Sequence, residues 1–253
     1  QVDNTATGSL TSLTVVVDDA TDPVSVSASA GNSLTSAGGT LAGTAIVTDV
    51  SFTALTGDLT VASLTVGATS ELAIVTVAGG IFDDGATTTL VADLLRLRAG
   101  TDIGTPTSRV DTDVHVLSID NGGLSGANSA FVNEADALVI DTVRVASTFD
   151  LQAGGDVTDI AANGIFSTSA RLNVGTANDI GAAINRLNMD VTSLTIDDGG
   201  AAGASSAFVT EANSLVVDTV RVAASFDLVA GGNVTDNAAN GIFAIITRLN
   251  VGA

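Results

Sequence analysis

Residues 131–175 read FVNEADALVIDTVRVASTFDLQAGGDVTDIAANGIFSTSARLNVG, and residues 208–252 read FVTEANSLVVDTVRVAASFDLVAGGNVTDNAANGIFAIITRLNVG. The two stretches are offset by 77 and agree at 32 of 45 positions without a gap. Such a repeat indicates a protein built from stacked units, because one unit cannot cover its own apolar face. The fold therefore depends on the local structure that one unit adopts.

Within a unit, apolar and polar residues alternate over short runs, as in LVIDTVRV at residues 138–145 and its copy at 215–222. Alternation with a period of two is typical of strands with one buried face. The alternation slips at Asp218-Thr219 of the second run, which predicts a corner between two short strands. Gly, Asn and Asp punctuate the runs, and no segment carries a useful stripe with the helical period. The pattern predicts an all-β fold, a parallel β-helix (β-solenoid) with roughly 20 residues a turn and imperfect repeats of about 77 residues.

The repeat also divides the chain. Residues 1–40 match the units poorly and form an atypical N-terminal segment, a cap or a strand-exchange element. A degenerate unit follows at 41–113, then a unit at 114–190 and a truncated unit at 191–253. We expect one continuous structural domain whose interior is an aliphatic column. The predicted members are Leu138, Ile140, Val143, Val145, Leu151, Ile165, Leu172, Val174 and their partners in the next repeat.

Composition excludes several classes of function. The 253 residues include 28 Asp+Glu, 8 Lys+Arg and one His, with no Cys, Trp or Tyr, so the net charge is −20. A nucleic-acid binder needs a basic surface, and a disulfide scaffold or thiolate metal site needs cysteine. No apolar run is long enough to insert into a membrane. We therefore expect neither a nucleic-acid nor a membrane partner.

The order of several motifs carries a family resemblance. The pieces are DL-x-AGG-D/N-VTD, NGI, RLNVG-TANDIG, RLN-x-DVTSLTI and FVTEANSLVVDTV, over roughly residues 55–253. This string resembles the repeat region of filamentous-haemagglutinin-like large exoproteins, which are secreted bacterial β-helix adhesins. The resemblance implies a right-handed parallel β-helix, a location outside the cell or at its surface, and a fibrous or adhesive role. It offers no catalytic residues to transfer.

The residues themselves do not predict an enzyme. Adjacent acids such as Asp83-Asp84 point to opposite faces of a strand and precede Gly or Ala, which is typical of solvated corners. The only histidine, His115, is replaced by Thr192 in the next unit. The one candidate cofactor is a structural Ca²⁺, for which corner aspartates supply oxygen ligands. The candidate ligands are Asp120, Asp159, Asp197, Asp198 and Asp236; the alternative is that these are corner residues that bond their own backbone.

A solenoid whose ends are not capped exposes unpaired backbone groups and an aliphatic cross-section. The last unit stops at RLNVGA without a polar cap, which favours head-to-tail self-association into filaments. The predicted assembly residues are Leu13, Val15 and Val17 near one end and Leu249 and Val251 near the other. The leading hypothesis is a subunit of an extracellular filament or the shaft of a secreted adhesin, with cell-surface or matrix contacts. The alternative is a polysaccharide-binding or polysaccharide-cleaving β-helix, which the absence of Trp and Tyr disfavours.

Overall fold

A computed structural model describes residues 2–3, 16–17, 23–27, 32–36, 39–44, 50–54, 57–66, 68–85, 89–120, 128–196, 204–237 and 241–252. The described residues are all-β and contain no helix, and their strands are mostly parallel and stack about 22 residues apart. This confirms the predicted β-solenoid. The chain divides into two compact units, residues 1–133 and 134–253.

The first twelve strands range from two to eleven residues in length. They are β1 Val2–Asp3, β2 Val16–Val17, β3 Pro23–Ser27, β4 Asn32–Ser36, β5 Gly39–Thr44, β6 Val50–Ala54, β7 Leu59–Thr65, β8 Glu71–Thr76, β9 Ile81–Asp83, β10 Leu90–Arg98, β11 Val110–Asp120 and β12 Ser129–Glu134. Within the first unit, β6, β8 and the second half of β10 stack in one column, with Val50 paired to Leu72 and Leu72 to Leu95. A second column stacks β5 on β7 and β7 on β9.

The remaining ten strands belong to the second unit. They are β13 Leu138–Arg144, β14 Thr148–Ala153, β15 Val157–Val174, β16 Leu187–Ile196, β17 Ser206–Glu211, β18 Leu215–Arg221, β19 Ser225–Ala230, β20 Val234–Asp236, β21 Ile242–Phe243 and β22 Ile246–Val251. Each turn contributes strands to two columns. Column 1 runs through β13, the first part of β15, the first part of β16, β17, β19 and β22. Column 2 runs through β14, the second parts of β15 and β16, β18, and then β20 with β21.

The sequence repeat is out of phase with these columns. Strand β13 lies in column 1, whereas its copy in the next repeat, β18, lies in column 2. Strand β14 lies in column 2, and its copy β19 lies in column 1. With turns of about 22 residues, one repeat therefore advances the chain by about three and a half turns. This agrees with the three to four turns that we expected from the length of the repeat.

The predicted aliphatic column is confirmed over its first copy, since all eight of its members are buried. Buried and half-buried residues alternate along strands such as β12 and β17, as a pleated backbone requires. In the second copy Leu215, Val217, Val220, Val222 and Leu228 are buried, but Ile242, Leu249 and Val251 are not. The difference arises because no described strand covers the turn that carries these three residues.

The slip in the alternation is a bulge and not a corner. Strand β18 continues from Leu215 to Arg221, and Asp218 is inserted between Val217 and Thr219, which pair with the adjacent residues Leu194 and Thr195 of β16. The register of β13 against β15 also shifts, between Ile140 and Thr142, but there the extra residues lie in β15, which places residues 160–163 opposite Asp141. An extra residue in one strand changes the side that faces inward without ending the strand, so it leaves the same mark on a sequence as a corner.

Glycine marks the real corners because the backbones approach closely there. A Cβ added to Gly154 would lie 2.1 Å from the carbonyl oxygen of Ala135, and one added to Gly231 would lie 2.2 Å from that of Ala212. These two glycines occupy equivalent repeat positions, after β14 and β19. Among the described residues no helix is long and apolar enough to span a bilayer.

Candidate assembly surface

Strand β22 presents an edge that its own repeat copy does not. The copy is residues 169–174 of β15, which pair with β14 on one side, and the first four of these residues pair with residues 193–196 of β16 on the other. Strand β22 pairs with β19, and in the described part of the chain nothing pairs with its other edge. The consequence for burial is large: Leu172 is 0% exposed and its counterpart Leu249 is 47% exposed, while Val174 is 1% and Val251 is 44% exposed. The same sequence pattern is therefore core in one place and surface in the other.

Exposed apolar side chains concentrate around this edge. Among the described side chains, eight large hydrophobic residues are exposed, and five of these lie between residues 243 and 251. The five are Phe243, Ile245, Ile246, Leu249 and Val251. The other three, Val77, Ile160 and Ile184, are scattered singly, as is common on protein surfaces.

The predicted assembly residues fall into two groups. Leu249 and Val251 lie on β22 with their side chains in water. Leu13 and Val15 lie outside the described residues. Val17 ends β2, whose backbone pairs with β4, but its side chain lies outside the described part. A role for these residues in assembly stays a prediction.

Corner aspartates bond the backbone of the next turn. Asp156 Oδ1 accepts the N–H of Asp179 at 2.8 Å, and Asp179 Oδ1 accepts the N–H of Ser206 at 2.8 Å, so the bonds form a ladder up the solenoid. In the first unit Asp58 accepts the N–H of Gly80 in the same way. We expected such residues to bond their own backbone, as Asp83 does with Gly85. Bonding the next turn instead makes each corner carboxylate part of the stacking.

Asparagine side chains supply further donors. The Nδ2 groups of Asn133, Asn213 and Asn237 each donate to an aspartate one turn below, at 2.7–2.9 Å; the acceptors are Asp111, Asp190 and Asp218 respectively. The chain has 28 acids and only 8 basic residues, so ion pairs alone could not satisfy its carboxylates. Neutral amides do so without adding charge.

Of the five calcium candidates, the structure describes the side chains of two, Asp159 and Asp236, which lie in different columns. Asp159 lies in column 1 and is buried; its Oδ2 accepts the backbone N–H and the Nδ2–H of Asn188, both at 2.8 Å, and its Oδ1 has no hydrogen-bond partner. Burial raises the pKa of Asp159. Asp236 is exposed on β20, in column 2. Asp120 ends β11 with its side chain outside the described part, and Asp197 and Asp198 lie outside the described residues, so a structural Ca²⁺ stays a prediction.

The recurring arginines bridge turns. Arg186 reaches Asp227, which stands two turns further on, with Nη2 2.9 Å from Oδ2 and Nη1 donating to the Asp227 carbonyl oxygen at 2.8 Å. Arg248, 73% exposed, lies 3.9 Å from the same carboxylate oxygen on its other side. In the DTVRV motif Arg144 stacks on Phe166 at 4.0 Å and Arg221 on Phe243 at 4.5 Å, each one turn away.

Sequence reasoning missed three buried acids, Glu134, Asp150 and Glu211. Glu211 ends β17 inside the solenoid, where it stacks on Met189 and under Ala230. Its Oε1 accepts the N–H of Asn213 at 3.0 Å, and its Oε2 accepts that of Val191 at 3.1 Å. Burial, with a smaller contribution from the charge of Asp190, raises the pKa of Glu211 to about 7, and the N–H donors offset only part of the rise. A signal existed: the chain has only three glutamates, and two of them occupy the same position of the repeat.

Comparisons of the chain with protein-family models, with curated proteins and with solved structures gave no match.

Proposed function

We propose that this chain is a structural element, a subunit of an extracellular filament or the shaft of a secreted adhesin, which associates head to tail through the uncovered turn of its solenoid. The observation that carries the proposal is the outer edge of β22. This edge offers backbone groups with which no described strand pairs, together with the half-exposed aliphatic side chains of Leu249 and Val251. The equivalent residues of β15, Leu172 and Val174, are buried.

The energetics favour covering this edge. Burying a Leu or Val side chain fully stabilises a structure by about 1.5–3 kcal/mol, so completing the burial of the two half-exposed side chains contributes on the order of 2 kcal/mol. A parallel strand would add backbone hydrogen bonds along β22. A second copy of the chain that supplies such a strand makes a contact that does not close on itself, and such contacts propagate into filaments.

The distribution of charged residues along the chain favours a head-to-tail contact. Residues 1–95 contain ten acids and no basic residue, whereas residues 231–253 contain one of each, Asp236 and Arg248. Two copies joined through their acidic regions would repel each other, and two joined through the β22 edge would bring Arg248 against Arg248. Contact between the neutral edge and the acidic region avoids both.

The extracellular location and the adhesive role rest on the resemblance of the motifs to filamentous-haemagglutinin-like exoproteins. Contacts with a cell surface or matrix would then be made by the sides of the solenoid. A polysaccharide-binding or polysaccharide-cleaving role has less support, since the chain lacks Trp and Tyr and its corner carboxylates are engaged in stacking.

The test is the state of assembly of a charged-edge variant. We expect the wild-type chain to form filaments visible by electron microscopy and Leu249→Asp/Val251→Asp to remain as short particles. Val77→Asp is the matched control, because Val77 is equally exposed but belongs to the first unit. Wild-type protein that stays monomeric at high concentration, or filaments that persist in the charged-edge variant, would contradict head-to-tail association through β22.

A further inference from the structure

We infer that Glu211 acts as a latch, closed in its protonated form, which holds a stack of corners together near the end of the second unit and lets them open as the pH rises. The corner stack consists of residues 211–214, residues 230–233 and residue 252, each joined to the one before it by backbone hydrogen bonds. Glu211 ends β17, is 1% exposed and pairs with Ala230 in the next turn. Its carboxyl group can reach water only if the corner that carries it moves.

Movement of the lowest corner is transmitted to the two above it. The N–H of Gly231 donates to the carbonyl oxygen of Glu211 at 2.9 Å, and the N–H of Gly252 donates to that of Ala230 at 2.7 Å. The contact is also close, because a Cβ added to Gly231 would lie 2.2 Å from the carbonyl oxygen of Ala212. A displacement of residues 211–214 therefore breaks the backbone bonds on which the upper corners rest.

The carboxyl group of Glu211 fastens the lowest corner to the turn below. Its Oε2 accepts the N–H of Val191 at 3.1 Å, and its Oε1 accepts the N–H of Asn213, within the same corner, at 3.0 Å. These two bonds keep the group in the interior, where desolvation disfavours the ionised form. Ionisation therefore favours a conformation in which the side chain has left the interior and the bond to Val191 is broken.

The charges around Glu211 act in the same direction. The strands packed against β17 carry two charged residues, Asp190 on β16 and Asp227 on β19, and none of the three strands contains a basic residue. Asp227 stacks three residues away from Glu211 and is held by Arg186 and Arg248. Burial, and to a smaller extent the charge of Asp190, raise the pKa of Glu211 from 4.5 to about 7. Stability of the closed corners is therefore complete below about pH 4.5 and is lost as the pH rises through 7.

Hydrogen exchange of the wild-type chain tests the latch, with protection factors corrected for the intrinsic effect of pH. Between about pH 5.5 and about pH 8, the amides of Gly231, Gly232 and Gly252 should lose protection at least about tenfold. In Glu211→Gln, which cannot ionise, the same amides should change by less than about twofold. Glu134→Gln is the matched control, because Glu134 is the equally buried glutamate of the first repeat copy, and it should behave like the wild type.

Three outcomes would overturn the inference: corner amides whose protection does not change with pH, an equal loss of protection in Glu211→Gln, or an equal loss at the amides of β8 and β10 in the first unit. The last would show that the whole chain unfolds and that the corners do not open by themselves. The latch operates within a single chain, so a failure to form filaments would leave these measurements unaffected.

Discussion

At the scale of single residues, the acids of this chain divide into those that hold the turns together at the corners and those inside the solenoid. The corner aspartates are satisfied by N–H groups and by asparagine amides. Glu211 is different because its carboxylate is buried in the stacked interior beside Asp190. A carboxylate there costs more to ionise than in the unfolded chain, so its protonation is linked to stability.

The first prediction concerns this linkage. The pKa of Glu211 is about 7 in the folded chain and about 4.5 when the residue is exposed, so between these values the folded state holds a proton that the unfolded state has lost. Its contribution to stability is present below about pH 4.5 and is lost as the pH rises to 7. We expect the free energy of unfolding to fall across this window by on the order of 3 kcal/mol through Glu211.

Glu211→Gln should remove this part of the pH dependence, as measured by urea unfolding at a series of pH values. Glu71→Gln is the matched control, because Glu71 forms a surface ion pair with Arg96 at 3.0 Å. The comparison between the two variants cancels the repulsion that the net charge of −20 adds to both. Equal pH profiles for the two variants would show that Glu211 does not carry the linkage.

At the scale of elements, the alternation of apolar residues was sufficient to predict strands, their parallel stacking and the aliphatic interior. It could not distinguish a bulge from a corner at Asp218-Thr219, because both shift the period by one residue. The β22 residues Leu249 and Val251 were predicted as assembly residues from the pattern alone.

A substitution at a corner glycine tests directly how closely neighbouring turns pack. Gly154→Ala should destabilise the second unit by about 2–3 kcal/mol, because the new Cβ would collide with the backbone oxygen of Ala135 and the adjoining turns would have to separate. Thermal unfolding followed by circular dichroism gives the measurement. Gly241→Ala is the control, since a Cβ at Gly241 meets nothing within 4 Å. Similar losses in the two variants would show that close approach at Gly154 is not what sets the corner.

At the scale of the whole molecule, the sequence predicted a β-solenoid but only an approximate length for its turn. The repeat of 77 residues is recognised by its sequence identity. The turn of about 22 residues is not, because successive turns share little beyond their apolar pattern. Strands that stack on each other therefore differ in sequence, and the strands that are similar in sequence lie in different columns. Head-to-tail assembly was predicted from the sequence, and the burial of the side chains adds that Leu249 and Val251 are half-exposed where their repeat copies are buried.

Head-to-tail assembly predicts how the length of the filaments depends on ionic strength. Head-to-tail contact between the neutral β22 edge and the acidic residues 1–95 places few like charges together, so raising the salt concentration should change filament length little. Filament length measured by electron microscopy at low and at physiological salt would check this. Filaments that shorten as salt rises would contradict the head-to-tail arrangement.

Because one repeat spans about three and a half turns, successive copies of the repeat place the same residue on alternating faces of the solenoid. Arg144 and its copy Arg221 lie in different columns, as do the strands that carry them. In a longer array of such repeats, a receptor approaching from one side would meet the same residue only at every second repeat. Seven turns separate those positions, a spacing of about 34 Å. A multivalent ligand that binds one face would therefore need binding groups separated by that distance. The equivalent site on the other face would be displaced along the solenoid by half of that distance.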